Sequence, residues 1–301
     1  SKEKNISGIF TANALCSPGI WHDDSKRVTF KQIHDAHTRP CAAYVPYAWR
    51  TGTESVVADY CNSSKFAITA KKPGKVTKRT DEYITVEYDD GTTETHKYGL
   101  QFGTSAGTII PMPTVCEVKE GEKFKIGKPL IYNTDFFEKD PFDVDGGLCL
   151  KFGIPVIVRF VDNRSTIEDS TAISKRLAEK MSIDVTHKRV VVVKFTDEIY
   201  DLVKVGAWVH QEDSLCKLLD SSAAALVSNV DEVEDTLDAL DRKTPRAKYA
   251  GRIDKIDIYY HGEKEEMSSS LRKYVTQSDA NLAKSTPDGK AINGDVKDNY
   301  R

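Results

Sequence analysis

The segment YITVEYDDGTTETHKY, residues 83–98, decides the fold class of this chain. Its β-branched and aromatic residues alternate with polar residues, which is the pattern of a half-buried strand. Asp90-Gly91 lies near its centre, and an Asp-Gly pair between two alternating runs predicts a β-hairpin. We therefore expect two antiparallel strands joined by a tight turn.

Short strand-like runs continue on both sides of this hairpin. VVADYC (56–61), KFAITA (65–70) and GKVTKRT (74–80) precede it, and residues 105–133 contain further short strands between glycines and prolines. The apolar runs LCLKFGIPVIVRFVD (148–162) and HKRVVVVKF (187–195) predict buried strands, and AGRIDKIDIYY (250–260) alternates like a strand. The chain is thus expected to be mainly β with several helices.

Helical periodicity is confined to a few stretches. They are residues 22–38, about 170 to 182, 221–242 and 263–284. The chain contains a weak internal repeat, formed by VKEGEKFKIGKPL (118–130) and VKVGAWVHQEDSLCKL (203–218). Both segments contain V-K-x-G, then an apolar run and a final Leu. Gly121 and Gly206 would provide tight turns. That pattern suits small barrel or sandwich-hybrid units.

Composition narrows the function classes. The chain has 301 residues, a formal net charge of −3 and six cysteines with no C-x-x-C pair, so a zinc knuckle is not favoured and a reducing compartment is expected. No apolar run reaches the roughly 18–20 residues of a membrane span, and the first 25 residues contain no signal-type apolar region.

The basic run KKPGKVTKR (71–79) predicts either a solvated hairpin or a contact with a nucleic-acid backbone.

Two adjacent acids, Glu168 and Asp169, lie in DNRSTIEDSTAISKRL (162–177). Ser165 to Glu168 fits the capping box S-x-x-E at the start of a helix. A pair of carboxylates can also help to hold Mg²⁺ together with substrate phosphates. Both interpretations stay open.

The acidic loop DPFDVDGG (140–147) lacks the closing Glu of a calcium loop, which disfavours a calcium site.

The helix predicted at 22–38 has an unusually polar face. Arg27, His34 and His37 lie at helical spacing, so one face could carry all three. A guanidinium matches phosphate oxygens bidentately, so this face suits a phosphate-lined channel. The alternative is a helix cap with solvated charges, formed by residues 22–27. No G-x-G-x-x-G, P-loop, G-x-S-x-G or H-E-x-x-H motif is present, so a self-contained nucleotide or hydrolase site is not supported.

A set of blocks occurs in a fixed order along the chain. The blocks are WHDDSKR (21–27), RTGTESVVAD (50–59), VIVRFVDNRSTIEDSTAISKRL (156–177), VKVGAWVHQEDSLCKLL (203–219) and AGRIDKIDIYY (250–260). In this order they resemble the β subunit of multisubunit DNA-dependent RNA polymerases, which are nucleotidyltransferases. The resemblance implies small barrel or sandwich-hybrid units, part of a double-psi β-barrel, and a flap or wall domain. It implies three regions: residues 1–55 with the active-centre helix, 56–185 with the barrel core, and 186–301 with the flap.

The resemblance also implies roles for site residues. Arg27 matches an arginine that contacts the incoming nucleoside triphosphate, and Glu168 and Asp169 match an acidic pair that approaches the second, substrate-borne Mg²⁺. The primary Mg²⁺ would be held by the partner β′-like chain. Lys26 and His37 take the positions of an asparagine and of an RNA-contacting glutamine in the family, so both depart from the pattern. Together with His34 they are the candidates for contacting RNA or substrate.

The family's later lysine-bearing stretch and its N-terminal lobes are missing from this chain. The chain is therefore expected to be a piece of a β subunit that is inactive alone, similar to the split polymerases of giant bacteriophages. Its expected partners are the remaining β part, a β′-like chain, DNA template, RNA product, nucleoside triphosphates and an initiation factor at the flap. No membrane is expected, and the expected location is the cytoplasm of a bacterial host or the virion.

Two other hypotheses fit parts of the sequence. A non-catalytic, transcription-associated docking module would keep the same folds without chemistry. Finding a partner chain with a triple-aspartate metal loop would favour the catalytic role over this docking role. An unrelated carbohydrate-type β-sandwich protein would have a closed core in isolation, with Glu168 acting only as a helix cap.

Overall fold

The computed structural model describes residues 22–36, 41, 45–46, 58, 61–105, 107–151, 153–161, 164, 170–219 and 244–285. The chain divides into two compact units between Lys188 and Arg189. The fold is mainly β with a few helices, as predicted, and every strand pair in the described ranges is antiparallel. None of the sheets in these ranges closes into a barrel. The double-psi barrel, the flap and the three-region division remain predictions.

In its described residues, the first unit contains two four-stranded sheets and one small hairpin. One sheet has the order β1-β8-β6-β5, the other has the order β4-β3-β2-β7, and β9 pairs with β10. The strands are β1 (Ala67–Thr69), β2 (Gly74–Arg79), β3 (Tyr83–Tyr88), β4 (Thr93–Lys97), β5 (Gly99–Ser105), β6 (Thr108–Cys116), β7 (Lys123–Phe124), β8 (Pro129–Asn133), β9 (Phe137–Lys139) and β10 (Leu148–Leu150). The helices whose bounds lie within the described residues are α1 (Ser25–Ala36) and α2 (Lys175–Lys180).

Both sheets bury apolar residues in one shared core. Ile68, Leu130 and Ile131 come from the first sheet, while Val76 and Ile84 come from the second. Val76 and the pair Ile84 and Val86 follow the two-residue period of a strand, whereas β1 and β8 are buried at every position. A second cluster, which includes Ala58, Ala67, Tyr132, Phe137 and Leu148, lies around β1, β8 and the β9–β10 hairpin.

The hairpin predicted around Asp90-Gly91 is confirmed. Strand β3 pairs with β4 over residues 83–87 and 93–97. Gly91 has a φ of 81°, which a residue with a Cβ rarely adopts, and the Asp90 carboxylate accepts a hydrogen bond from the Thr92 amide at 3.0 Å. The Asp-Gly pair therefore specifies the turn as expected.

Four of the predicted strand runs differ from the structure. Ala58 and Cys61, the two described residues of VVADYC, have helical backbone, so the strand predicted there is wrong at these positions. Their three-residue spacing also fits one face of a helix. In the run 148–162, residues 148–150 form β10, but residues 154–161 form no strand, and Ile157 and Phe160 are fully exposed. Apolar content predicted burial there, yet no described strand pairs with this stretch.

The run at 187–195 is extended but not a hydrogen-bonded strand. Val191 and Val193 pack against a core in the second unit, while Val190 and Val192 point outward and are exposed. The same holds in AGRIDKIDIYY, where only Gly251–Arg252 forms a strand and Ile258 packs against the core. The buried strand predicted from the apolar run 187–195 is therefore wrong, and the strand predicted from alternation at 250–260 is confirmed only at Gly251–Arg252.

Over residues 189–219 and 244–285, the second unit combines short two-stranded pairs with one long helix. Its core contains Ile199, Cys216, Leu218, Leu271 and Val275. Its elements are β11 (Glu198–Tyr200), β12 (Trp208–Val209), β13 (Lys217–Leu219), β14 (Gly251–Arg252), a 3₁₀ turn (Lys264–Glu266) and α3 (Ser269–Ser285). The helix predicted at 263–284 is confirmed from Ser269 onward as α3, while its predicted first turn is the 3₁₀ turn. The helix predicted at 221–242 lies outside the described residues.

A backbone motif occurs once in each unit, and it includes the V-K-x-G segments of the predicted internal repeat. Motif 1 joins A-K-x-x-G at 70–74 to V-K-x-G at 118–121, and motif 2 joins A-K-x-x-G at 247–251 to V-K-x-G at 203–206. The two pieces occur in opposite order along the chain. In motif 1 β2 pairs with β7, and in motif 2 β14 pairs with β12, with Gly74 opposite Phe124 and Gly251 opposite Val209.

The hydrogen bonds of the two motifs correspond one to one. In motif 1, Gly121 N donates to Val76 O at 2.9 Å and Val76 N donates to Glu122 O at 3.0 Å. Motif 2 repeats these bonds from Gly206 N to Ile253 O at 2.7 Å and from Ile253 N to Ala207 O at 2.9 Å. Gly121 and Gly206 have φ values of 78° and 87°, so the turns predicted at these glycines are confirmed.

The next turn is also shared, but its residue type differs. Gly127 N donates to Ala70 O in motif 1, and Glu212 N donates to Ala247 O in motif 2, at 2.8 and 2.9 Å. Gly127 has a φ of 81° and Glu212 has a φ of 68°. Motif 2 therefore places a side-chain-bearing residue in the left-handed conformation that motif 1 gives to glycine.

Glu212→Gly is expected to raise the free energy of unfolding by about 1 kcal/mol, because glycine adopts the left-handed region without the steric cost that a Cβ brings. Urea denaturation of the full chain measures the change. The matched control is Gly127→Ala, which is expected to lower stability by a similar amount. A loss of stability in Glu212→Gly would contradict the correspondence between the two turns.

His96 is a buried imidazole in β4. Its Nε2 lies 3.1 Å from Glu94 Oε2, and the Tyr88 hydroxyl donates to the same oxygen at 3.0 Å. Burial is the largest influence on the pKa of His96 and lowers it, Lys71 lowers it further, and Glu94 acts in the opposite direction. The folded chain thus keeps His96 neutral at pH values where the unfolded chain protonates it.

The free energy of unfolding is therefore expected to fall as the pH drops below about 6.5, the usual pKa of a histidine in an unfolded chain. This contribution is fully present above that pH and is lost as the pH falls toward the lowered folded-state pKa. Urea denaturation between pH 7.5 and 5.5 should show a loss up to about 1.4 kcal/mol larger in the wild type than in His96→Gln. The exposed His210→Gln is the control, and equal pH dependence in wild type and His96→Gln would refute the assignment.

Candidate functional site

Helix α1 carries the cationic part of the predicted site. The helix begins at Ser25, and Asp24 O accepts hydrogen bonds from Arg27 N at 3.0 Å and from Val28 N at 3.1 Å. The predicted helix at 22–38 is thus confirmed over Ser25–Ala36. Arg27 and His34 are two turns apart, so they lie along the same side of α1.

The side chains of α1 that were predicted to bind substrate are all exposed. Lys26, Arg27 and His34 lie on the surface, and the ring of His34 contacts the ring of Phe30 edge-on at a centroid distance of 4.5 Å. Phe30 itself is 57% exposed. Within the described ranges Arg27 forms no ion pair, so its guanidinium is oriented by no described carboxylate. The exposed side of α1 therefore combines cations with an apolar ring, a combination that suits a nucleotide.

The acidic half of the predicted site, Glu168 and Asp169, lies outside the described residues, and so does His37. The flanking sequence corrects one interpretation of these acids. Helix α2 begins at Lys175, and the Ser174 hydroxyl caps it by accepting a hydrogen bond from Leu177 N at 3.1 Å. Residues 170–174 are not helical. The helix predicted from about 170 is shorter, and Glu168 is not part of its capping box.

This correction bears on the carbohydrate-type sandwich hypothesis, in which Glu168 acted only as the cap of that helix. Ser174 takes the capping role because a serine immediately before the helix places its hydroxyl beside the free amide groups of the first turn. The carboxylates at 168 and 169 are therefore not explained by α2.

The segments leading from α1 and toward the acidic pair meet in the first unit. Val45 N donates a hydrogen bond to Gly153 O at 2.9 Å, and the two residues form an antiparallel bridge. Ala58, from the block RTGTESVVAD, is buried in the cluster that contains Phe137 and Leu148. Ala58 of the second block, and Val45 and Gly153 from the segments between blocks, thus belong to the same unit.

The segment 156–161, just before the acidic pair, exposes its apolar side chains. Val156, Ile157, Val158, Phe160 and Val161 are between 51% and 100% exposed. Contiguous exposed apolar surface is uncommon on isolated proteins and marks interaction sites. The apolar composition of this run predicted that it lies in a core. No feature of the sequence indicated that it would be exposed.

The basic run 71–79 behaves as a hairpin strand. Lys72, which precedes β2, forms an ion pair with Asp90 in the β3–β4 turn. Lys75 of β2 pairs with Glu87 of β3 at 3.2 Å. The Arg79 guanidinium donates to Val118 O at 2.8 Å. These cations are engaged within the sheet, which favours the solvated-hairpin interpretation over a phosphate contact.

The acidic loop 140–147 uses its carboxylates for backbone turns. Asp140 accepts a hydrogen bond from Phe142 N at 3.0 Å, and Asp143 accepts from Asp145 N and Gly147 N, both at 2.9 Å. In the described part of the chain, no group of three or more His, Cys, Asp or Glu side chains is arranged to hold a metal ion.

Within the ranges given above, no helix has the length and apolar character needed to cross a membrane. No protein-family model matches the chain, and no curated protein matches it.

Proposed function

We propose that the chain is a β-subunit-like component of a DNA-dependent RNA polymerase, in which it helps to bind nucleoside triphosphate and RNA for nucleotidyl transfer. The observation that carries this proposal is the order of the five sequence blocks, which span residues 21–260. The exposed cations of α1 support it, because the block WHDDSKR places Arg27 on a surface that substrate can reach.

Arg27 is the proposed clamp on the triphosphate. Phosphoryl transfer requires little covalent help from protein, and catalysis comes from positioning and from charges aimed at the phosphate oxygens. A guanidinium offers planar, paired donors to those oxygens. Lys26, His34 and His37 are the proposed contacts to RNA or to the rest of the substrate.

Glu168 and Asp169 are the proposed acidic wall of the same site. Oxygen ligands suit Mg²⁺, and one or two carboxylates together with substrate phosphates are its usual ligands in nucleotide sites. These two side chains would orient the Mg²⁺ that arrives with the triphosphate, while the partner β′-like chain holds the primary ion. Mg²⁺ would stabilise charge on the attacking and leaving oxygens.

Other polypeptides are required in this proposal. The exposed apolar segment 156–161 supports it, because a companion chain would remove this surface from water. The proposed companions are the remaining β part and a β′-like chain, with template DNA and product RNA bound between them. In this assembly the first unit contributes to a double-psi barrel and the second to a flap that receives an initiation factor. The proposed location is the cytoplasm of a bacterial host or the virion.

A non-catalytic docking module is the second candidate. The exposed segment 156–161 favours it equally, since a docking platform also presents apolar surface to a partner. The two functions differ in what the partner contains. A catalytic assembly needs a chain with a triple-aspartate metal loop, and a docking module does not.

Reconstitution tests the proposal. The chain is co-expressed with its co-purifying companions, and extension of a labelled RNA primer on a DNA template is measured with and without it. The expected result is Mg²⁺-dependent extension that is lost when this chain is omitted. Extension at the full rate without the chain, or companions that lack any acidic metal loop, would contradict the catalytic role.

A further inference from the structure

Motifs 1 and 2 differ at one edge of their shared backbone. In motif 1, β2 is paired with β7 on one side and with β3 on the other. A Cβ added to Gly74 would collide with the carbonyl oxygen of Glu87 and lie 2.9 Å from the Cα of Tyr88, so β3 covers this glycine closely. Gly74 is therefore required for the close approach of the covering strand.

In motif 2 the equivalent edge is uncovered. Strand β14 pairs with β12, as β2 pairs with β7, and no other strand pairs with β14 in the described part of the chain. A Cβ added to Gly251 would meet no atom within 4 Å. Position 251 is thus a glycine, as a covering strand would require, although no described neighbour requires a residue without a Cβ there.

Three corresponding positions of the two motifs carry charged residues in motif 1 and apolar or aromatic residues in motif 2. Glu120, Lys123 and Lys72 in motif 1 correspond to Val205, Trp208 and Tyr249 in motif 2, which are 61%, 65% and 48% exposed. The backbone is the same in both motifs, so the fold does not require apolar residues at these positions. Exposed Trp and Tyr beside Arg are the residue types that contribute most to protein interfaces.

Motif 1 indicates what would cover the edge in motif 2. Its covering strand β3 places Glu87 opposite Lys75, and their side chains form an ion pair at 3.2 Å. The counterpart of Lys75 is Arg252, whose side chain is 63% exposed and contacts Asp254 of its own unit. A strand on β14 would thus bring an acid to Arg252 and pass closely over Gly251.

We infer that the open edge of β14 is a docking site for an extended, acidic and aromatic segment of a partner protein, which binds as an added β-strand. Backbone hydrogen bonds to the edge would supply affinity, and the acid opposite Arg252 and a large side chain near Trp208 would supply specificity. This inference follows from the comparison of the two motifs and does not depend on a role in transcription.

A peptide copied from the covering strand of motif 1 provides the probe. Labelled EYITVEYD, the sequence of residues 82–89, is titrated with the full chain and its fluorescence anisotropy is recorded. We expect saturable binding that Gly251→Ala weakens by at least about tenfold, because the new methyl group occupies the path of the strand. Gly153→Ala is the matched control, since Gly153 also has no atom within 4 Å of an added Cβ.

A charge exchange tests the register of binding. A peptide with Lys at the position of Glu87, and the chain variant Arg252→Glu, should each weaken binding by about two- to fivefold, the range of a cross-strand charge pair. Combining them should restore binding. The thermal midpoints of Gly251→Ala and Arg252→Glu are measured to establish that the chain remains folded.

Two results would overturn the inference. One is binding of the peptide to folded Gly251→Ala with unchanged affinity. The other is absence of peptide binding while a labelled single-stranded oligonucleotide binds and is lost in Trp208→Ala, since the aromatic surface would then stack bases rather than accept a strand.

Discussion

Replacing Arg27 with alanine is expected to slow RNA extension by the assembled polymerase by about 100- to 1,000-fold, the cost of removing one preorganised donor to a charged transition state. The guanidinium is exposed on α1 and forms no ion pair with a described residue, so we expect its loss to leave the described fold intact. Single-nucleotide incorporation in a quench-flow assay measures the effect. Arg27→Lys should retain part of the rate, because a lysine keeps the charge but not the paired donors.

Two control variants separate this effect from general damage. Thr29→Ala alters the same helix, where the threonine hydroxyl donates to Ser25 O at 2.9 Å, and Lys125→Ala removes an exposed cation from another element. Both should extend RNA within about twofold of the wild-type rate, since surface substitutions away from a site have small effects. Extension by Arg27→Ala at the wild-type rate would remove Arg27 from the active centre.

Gly74→Ala is expected to lower the free energy of unfolding by about 2–3 kcal/mol, because a Cβ forces β3 away from β2 within a packed sheet. The obstacle is backbone, the carbonyl of Glu87 and the Cα of Tyr88, so no side-chain rotation relieves it. Gly251→Ala is the matched variant, with the same sequence context and open space, and should change stability by less than about 0.5 kcal/mol. Urea denaturation measures both.

Equal stability losses in the two variants would contradict the view that one edge is covered and the other open. A loss confined to Gly251→Ala would show that a strand of this chain, and not a partner, already lies over β14. The comparison thus measures, inside one protein, whether the two motifs differ at this edge in solution.

Local sequence signals predicted much of the first unit. The Asp90-Gly91 turn, the alternation around it and the two V-K-x-G turns depend on residues near each other in the chain, and glycine at a positive φ is a strong constraint. The A-K-x-x-G half of the motif escaped detection. Its two occurrences lie on opposite sides of V-K-x-G, so a comparison of segments in the same order could not align them.

Burial was predicted less well, because it depends on what surrounds a segment. Residues 156–161 have the composition of a core strand, and their exposure reflects the lack of a described neighbour rather than any local feature. The start of α2 was also misplaced, since Ser165 and Ser174 are both acceptable caps and only tertiary structure selects between them.

For the candidate site, spacing predicted correctly that Arg27 and His34 share one helix. Whether α1 and the acidic pair approach each other depends on long-range contacts that no local pattern encodes. The Val45–Gly153 bridge attaches the two connecting segments to one unit, and the sequence contained no signal for it.

The central claim is that Arg27 and the pair Glu168 and Asp169 act on one nucleoside triphosphate. A cryo-electron microscopy structure of the chain with its companions, a DNA–RNA hybrid and a non-hydrolysable triphosphate tests it most directly. The account predicts the Arg27 guanidinium within about 2.7–2.9 Å of a phosphate oxygen and the two carboxylates facing the substrate-borne Mg²⁺. Arg27 turned away from the nucleotide, or the acids facing solvent far from it, would contradict the account.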